Sequence, residues 1–154
     1  MFRGNHQARV DEKGRLKLPA DFKRRLDEEY GPRFFITSLN GRRVQIYPMR
    51  EWERIEASMA KLSQFDPDRA RFFDVTNYYG QEVEMDAQGR LLLPQIVREA
   101  AKATGDVNVL GMQTLLEVVS VETFREEMKG NAEAVELTME NQAALAEKLK
   151  QAGS

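Results

Sequence analysis

Apolar and polar residues alternate through two stretches of the chain, DEKGRLKLP from Asp11 to Pro19 and DAQGRLLLP from Asp86 to Pro94. Leu16 and Leu18 in the first, and Leu91 and Leu93 in the second, fall on every second position, the period of a strand with one face toward a core. Gly14 and Gly89 provide the backbone freedom of a tight turn just before. The alternation extends back through the segment carrying Arg3, His6 and Arg9, which predicts a strand there. After each proline the composition turns helical (ADFKRRLDEEY and QIVREAAKATG), with Pro19 and Pro94 expected at the first helical position. Two β-rich pairs come next. RFFITSLNGRRVQIYP is expected to turn at Asn40-Gly41, since both residues tolerate positive φ, and VNVLGMQTLLEVVS at Gly111-Met112-Gln113. Short helices beginning near MREWERI and VETFREEM close the two units.

The two nine-residue phrases share six identical positions at a separation of 75 residues, and Trp52 and Phe124 match at an offset of 72. The chain thus writes one unit twice: strand, turn, strand, short helix, hairpin, helix. Some 50 residues of this kind bury little apolar surface alone, so the two copies are expected to pack into one α+β core. The expected organisation is a first half over 5–50, a helical connector over 51–78, a second half over 79–124 and a helical tail over 125–154. In the connector, Asp66 is expected to cap a helix that starts at Pro67. Phe72, Phe73, Tyr78 and Tyr79 are candidates either for core or for contact between subunits. The tail has only a narrow stripe, Val135, Met139, Gln142, Ala146 and Leu149, and no function is attached to it.

Charge changes this picture more than overall composition does. Residues 1–50 hold 12 Lys and Arg against 6 Asp and Glu, whereas residues 51–154 hold 11 against 19. A basic half on an acidic protein suits a polyanion, and the acidic remainder limits indiscriminate binding. With 42% hydrophobic and 31% charged residues the chain has globular rather than disordered composition. The absence of cysteine excludes disulfides, thiolate nucleophiles and cysteine-based metal sites. No apolar run approaches the roughly 20 residues of a membrane span, and the start MFRGNHQARV lacks a secretory apolar region, so the cytoplasm is the expected location.

Catalysis finds little support. The one histidine, His6, has no Ser or Cys nucleophile near it, and a lone histidine makes neither a triad nor a metal site. Glu28-Glu29 and Glu126-Glu127 read as solvated helix faces, and no glycine-rich loop has phosphate-binding spacing. No enzyme activity, metal or cofactor is expected. The alternating pattern instead aims Lys13, Arg15 and Lys17 away from the core, beside Arg3, His6 and Arg9, which suits phosphate neutralisation and an arginine fork to guanine. The second copy is less basic, with Gln88 and Leu92 where the first has Lys13 and Lys17. An Asp four residues before an Arg also makes local ion pairs. Asp11/Arg15 and Asp86/Arg90 are therefore open between fixing the turn and meeting a ligand, with Asp expected to set geometry and Arg to reach outward.

The tandem Asp-x-x-Gly-Arg phrases resemble the DNA-binding strand of AbrB/SpoVT-type transcription factors. Together with MFRG at the start, YPMREWERI from Tyr47 and the central NYYG, they resemble the MraZ family over nearly the whole chain up to about Lys129. That resemblance implies a swapped-hairpin β-barrel with both halves on one chain. It also implies ring-shaped homo-oligomers that bind double-stranded DNA bearing short direct repeats and regulate the division and cell-wall gene cluster, including their own gene, usually as nucleoid-associated repressors. By position it marks Lys13, Arg15 and Arg90 as DNA-facing, with Asp11, Gly14, Asp86 and Gly89 as motif residues; Arg3, His6 and Arg9 are added from charge and strand placement. A non-catalytic ring-forming scaffold and an AbrB-type antitoxin repressor are the alternatives.

Overall fold

Eight antiparallel strands and six helices make up the computed structural model, in which residues 1–134 and 139–152 are described, with side chains over 1–130 and at 144 and 146–151. The first half contributes β1 (Phe2–Val10), β2 (Arg15–Lys17), α1 (Ala20–Glu29), β3 (Arg33–Thr37), β4 (Val44–Pro48) and α2 (Met49–Met59). After α3 (Pro67–Tyr79), the second half repeats the series as β5 (Gln81–Glu84), β6 (Arg90–Leu92), α4 (Gln95–Ala100), β7 (Gly105–Gln113), β8 (Leu116–Ser120) and α5 (Val121–Ala134); α6 (Met139–Ala152) follows.

The strands form one sheet in the order β5-β3-β4-β8-β7-β1-β2-β6. It nearly closes into a barrel, because β6 returns to β5 through the Asp86 turn, where Asp86 N donates to Arg90 O at 3.0 Å. Exchanging each strand with its counterpart in the other half reproduces the same circular order, so the barrel has an internal pseudo-two-fold. Each half lends its first strand to the other. β1 pairs along its full length with β7, from Phe2↔Gln113 to Val10↔Gly105, and β5 pairs with β3, from Arg33↔Glu84 to Ile36↔Gln81. Like meets like only at β2–β6 and β4–β8, which lie on opposite sides of the circle.

The inward residues of both halves fill one core. Leu16, Leu26, Phe34, Ile46, Leu91, Val97, Val107 and Leu116 are all fully buried. Burying some twenty apolar side chains of this size at about 25 cal/mol per Å² is what neither half can do alone. A second cluster lies outside the sheet. Trp52 of α2 stacks on Phe35 at 4.5 Å and on Phe72 of α3 at 5.9 Å, with Tyr47 and Met49 around it. Phe72, Phe73 and Tyr79 are half-buried, whereas Tyr78 is exposed. Asp66 caps α3 by accepting from Asp68 N and Arg69 N, with Pro67 opening the helix.

One turn expectation holds and another is corrected. The antiparallel β3–β4 hairpin turns through Asn40-Gly41, in a loop over 38–43 where Gly41 alone of the two has positive φ and Ser38 Oγ accepts from Gly41 N at 2.8 Å. Gly111 is a strand residue opposite Gly4, and the β7–β8 turn falls two residues later at Gln113 and Thr114. Glycine is needed at 111 because a Cβ there would run into the backbone of Arg3 on β1. Pro19 and Pro94 sit one position earlier than expected, in extended conformation as the residues preceding α1 and α4.

Residues Met1–Val121 form one compact unit and Glu122–Ser154 a second, carrying most of α5 and all of α6. Of the tail stripe, Ala146 and Leu149 are exposed; Val135, and the side chains of Met139 and Gln142, lie outside the described residues. No described helix is long and apolar enough to cross a membrane.

Candidate nucleic-acid interface

Each repeated phrase folds into the same hydrogen-bonded turn. Asp11 Oδ1 accepts from Lys13 N at 3.0 Å and Arg15 N at 2.9 Å, while Oδ2 accepts from Arg15 Nε at 2.8 Å. Gly14 N donates back to Asp11 O at 2.9 Å. The second copy repeats this bond for bond: Asp86 accepts from Gln88 N, Arg90 N and Arg90 Nε, at 2.9, 2.9 and 2.8 Å. Gly14 and Gly89 have φ of +84° and +76°, the left-handed region that disfavours a side chain. The backbone N–H of the following arginine, reinforced by its guanidinium, holds the carboxyls of Asp11 and Asp86 below the usual carboxylate range, against a smaller opposing effect of desolvation.

The aspartates therefore fix the turns, and the arginines do two things at once. Each ion pair engages Nε and leaves the two Nη groups as donors. β2 and β6 lie antiparallel across the pseudo-two-fold, with Arg15↔Leu92, Leu16↔Leu91 and Lys17↔Arg90 as partners. Because Leu16 and Leu91 point into the core, Arg15, Lys17, Arg90 and Leu92 share the outer face. The ribbon is locked at both ends, by Leu18 N to Gly89 O at 3.1 Å and Leu93 N to Gly14 O at 2.9 Å. Lys17 directly opposite Arg90 is an unfavourable like-charge pair that an anion would relieve. Among the described residues, neither Lys13 nor Lys17 has a carboxylate within ion-pair distance.

The β1 candidates separate. Arg9 points outward, and the register pairing Val10 with Leu16 sets it on the Lys17 side of the ribbon. Its ion pair with Asp106 at 3.2 Å is 73% and 76% exposed, and so contributes little. Arg3 also points outward but lies six residues up the strand, roughly 20 Å away at ~3.3 Å per residue. His6 has the parity of Phe2 and Val10, and its half-buried ring meets the edge of Phe22 at 4.7 Å. The structure places it on the inner side of β1, not among the outward cations, because strand alternation divides residues 3 and 9 from residue 6.

Two cations escape a reading of the strands alone. Arg98 of α4 extends over the first turn, where Nη1 donates to Lys13 O at 3.2 Å and Leu93 O at 3.4 Å. A Cβ on Gly14 would occupy the place of that guanidinium. Lys23 of α1 lies likewise over Gly89, with Nζ turned to Asp27 at 2.7 Å. The 75-residue repeat aligns Lys23 with Arg98, four residues after Pro19 and Pro94, a signal present in the sequence. Each half thus covers the other half's turn with a basic side chain.

Fold and site together define a tandem-motif protein of AbrB type, in which two half-motifs on one chain build a swapped-hairpin barrel. A family model described as "MraZ protein" and antitoxin-like matches residues 1–75 and 80–146. The chain is similar to "Transcriptional regulator MraZ" of Acidobacterium capsulatum, 58% identical over 147 residues covering 96% of this chain and 98% of the relative. It is also similar to the proteins of that name from Koribacter versatilis, 45% identical over 96% of this chain and 98% of the relative, and Syntrophobacter fumaroxidans, 34% identical over 90% and 92%. The chain belongs to the MraZ family.

Proposed function

We propose that this chain is a sequence-specific, non-enzymatic DNA-binding transcriptional regulator that reads short direct repeats as a ring of identical subunits. Its targets would be the division and cell-wall gene cluster, which it represses together with its own gene. The observation that carries this reading is the shared outer face of β2 and β6, where Arg15, Lys17 and Arg90 stand together with Lys13 at the adjoining turn. A two-stranded ribbon fits the roughly 12 Å width of the B-DNA major groove, and arginine Nη groups match guanine O6 and N7. Relatives named as transcriptional regulators support the reading.

So few cationic contacts hold a duplex weakly at physiological salt. Joining several copies in a ring raises avidity by roughly 10² to 10⁴ if the DNA repeats match the subunit spacing. The acidic remainder of the chain, with 19 Asp and Glu against 11 Lys and Arg beyond residue 50, keeps the other surfaces from competing for phosphate. The decisive experiment titrates a duplex of tandem short repeats at two salt concentrations with the parent and with Arg15→Ala. Steep loss of affinity with salt, and weaker binding by a folded variant, are expected. Equal binding by the two proteins would remove Arg15 from the interface, and no duplex binding at all would leave a scaffold.

A further inference from the structure

Leu92 departs from the chemistry of the face on which it stands. Three of the ribbon's four outward positions are cations; the fourth is this leucine, 53% exposed. It lies directly opposite Arg15 and two residues from Arg90, at the position the first half fills with Lys17. Leu91 beside it is fully buried, so the register is secure and Leu92 is not a misplaced core residue. A single apolar side chain among arginines and lysine is too small a patch for docking a protein. On its other flank Leu92 shares a cleft with Glu82, Glu84, Lys13 and Arg98, in which two carboxylates offset two cations. The leucine itself offers nothing to a phosphate and suits the apolar part of a base edge. The apolar group that B-DNA displays in its major groove is the thymine C5 methyl.

We infer that Leu92 is a specificity-determining residue that packs against a thymine methyl group in the major groove. The inference rests on the DNA-binding reading above and deepens it. It also gives the pseudo-symmetric ribbon a direction. With Lys17 in one half and Leu92 in the other, the two halves of a contacted box are read by different chemistry, a cation on one side and an apolar contact on the other. An asymmetric box suits head-to-tail repeats rather than a palindrome.

The test starts from a random-sequence duplex pool enriched with the full-length parent. Each thymine of the enriched duplex is then replaced singly by deoxyuridine, which removes only the methyl group. Binding is measured by fluorescence anisotropy for the parent, Leu92→Ala and Leu92→Lys. The expected result is one thymine per box whose replacement weakens the parent about fourfold, while neither variant distinguishes the two bases there. Leu92→Lys should in addition steepen the salt dependence. Enrichment of a sequence in which no deoxyuridine weakens the parent, or in which the variants keep the same sensitivity, overturns the role of Leu92 and leaves the DNA-binding reading standing. Failure to enrich any sequence overturns both.

Discussion

Arg98 Nη1 donates to the backbone carbonyl of Lys13 at 3.2 Å, across 85 residues of sequence and from one half of the barrel to the other. The turn that carries Lys13 and Arg15 is thus held from outside its own half. Without that bond the turn keeps its own Asp11 bonds but loses the group that fixes its outer carbonyl. Arg98→Ala should weaken DNA binding about 3- to 10-fold, an effect of about 1 kcal/mol typical of one net hydrogen bond. Combined with Lys13→Ala, the double variant should bind no more than marginally worse than the weaker single variant, because both act through one turn. Full additivity would mean that Arg98 acts separately from that turn.

Gly14→Ala places a methyl where the Arg98 guanidinium lies and forces a side chain onto φ of +84°. Gly105 has a similar φ of +67° but open space around it. Both alanine variants carry the backbone strain, of the order of 1–3 kcal/mol, and only Gly14→Ala also displaces Arg98. Urea unfolding should therefore rank Gly14→Ala as the less stable of the two; the reverse order would show that Arg98 moves aside without cost.

Leu91 and Leu92 are neighbours with opposite fates. Leu91→Ala empties a fully buried position under the ribbon and should destabilise the fold by about 2–5 kcal/mol. Leu92→Ala should stay within about 0.5 kcal/mol of the parent. Chemical denaturation of both variants checks this, and a large loss at Leu92 would mean that its side chain is buried in the working protein.

The carboxyls of Asp11 and Asp86 titrate below their ordinary value in the folded state. A depressed folded pKa gives stability that is present above the unfolded carboxylate pKa, about 3.9, and is lost as pH falls through the folded value. The parent should therefore lose stability below about pH 4, and the double variant Asp11→Asn, Asp86→Asn should show a shallower decline over that interval. Unfolding midpoints measured from pH 6 downward decide the matter; parallel curves would remove the two turns as a source of acid sensitivity.

Lys13 and Lys17 have no carboxylate partner among the described residues, so their charges are available to phosphate. Each lysine-to-alanine variant should lower the slope of log affinity against log salt by about 1. Arg9→Ala and Arg3→Ala should change it less, Arg3 least because of its distance from the ribbon. A larger change at Arg3 than at Lys17 would move the interface up β1.

Strand alternation at Leu16, Leu18, Leu91 and Leu93 was enough to assign inside and outside, because a one-residue register slip would turn these leucines to solvent. The repeat was enough to show that two halves share one core, since neither has the apolar surface to fold alone. Local chemistry placed the Asp-x-x-Gly-Arg turns but left the role of each Asp/Arg pair open, and the bonds that Asp11 and Asp86 accept decide that they fix the turns. Local chemistry failed where one residue type serves two purposes. Gly111 looked like a turn glycine and is a close-approach glycine, a distinction made by Arg3 on another strand. His6 looked like one more cation, although strand parity already set it apart from Arg3 and Arg9; the placement of α1 then supplies Phe22 as its partner.

By itself, then, the sequence determined what is local or periodic: strand faces, the paired turns, the capped helix at Asp66 and the basic character of one half. The tertiary structure alone decided which strands meet, that Arg15 and Arg90 share a face, and that Arg98 and Lys23 cross to cover the opposite turns. Those relations join distant residues, 66 positions apart for Lys23 and Gly89, 75 for Arg15 and Arg90 and 85 for Lys13 and Arg98. A side chain's partner at such separations depends on how two halves exchange strands, which no short-range pattern encodes.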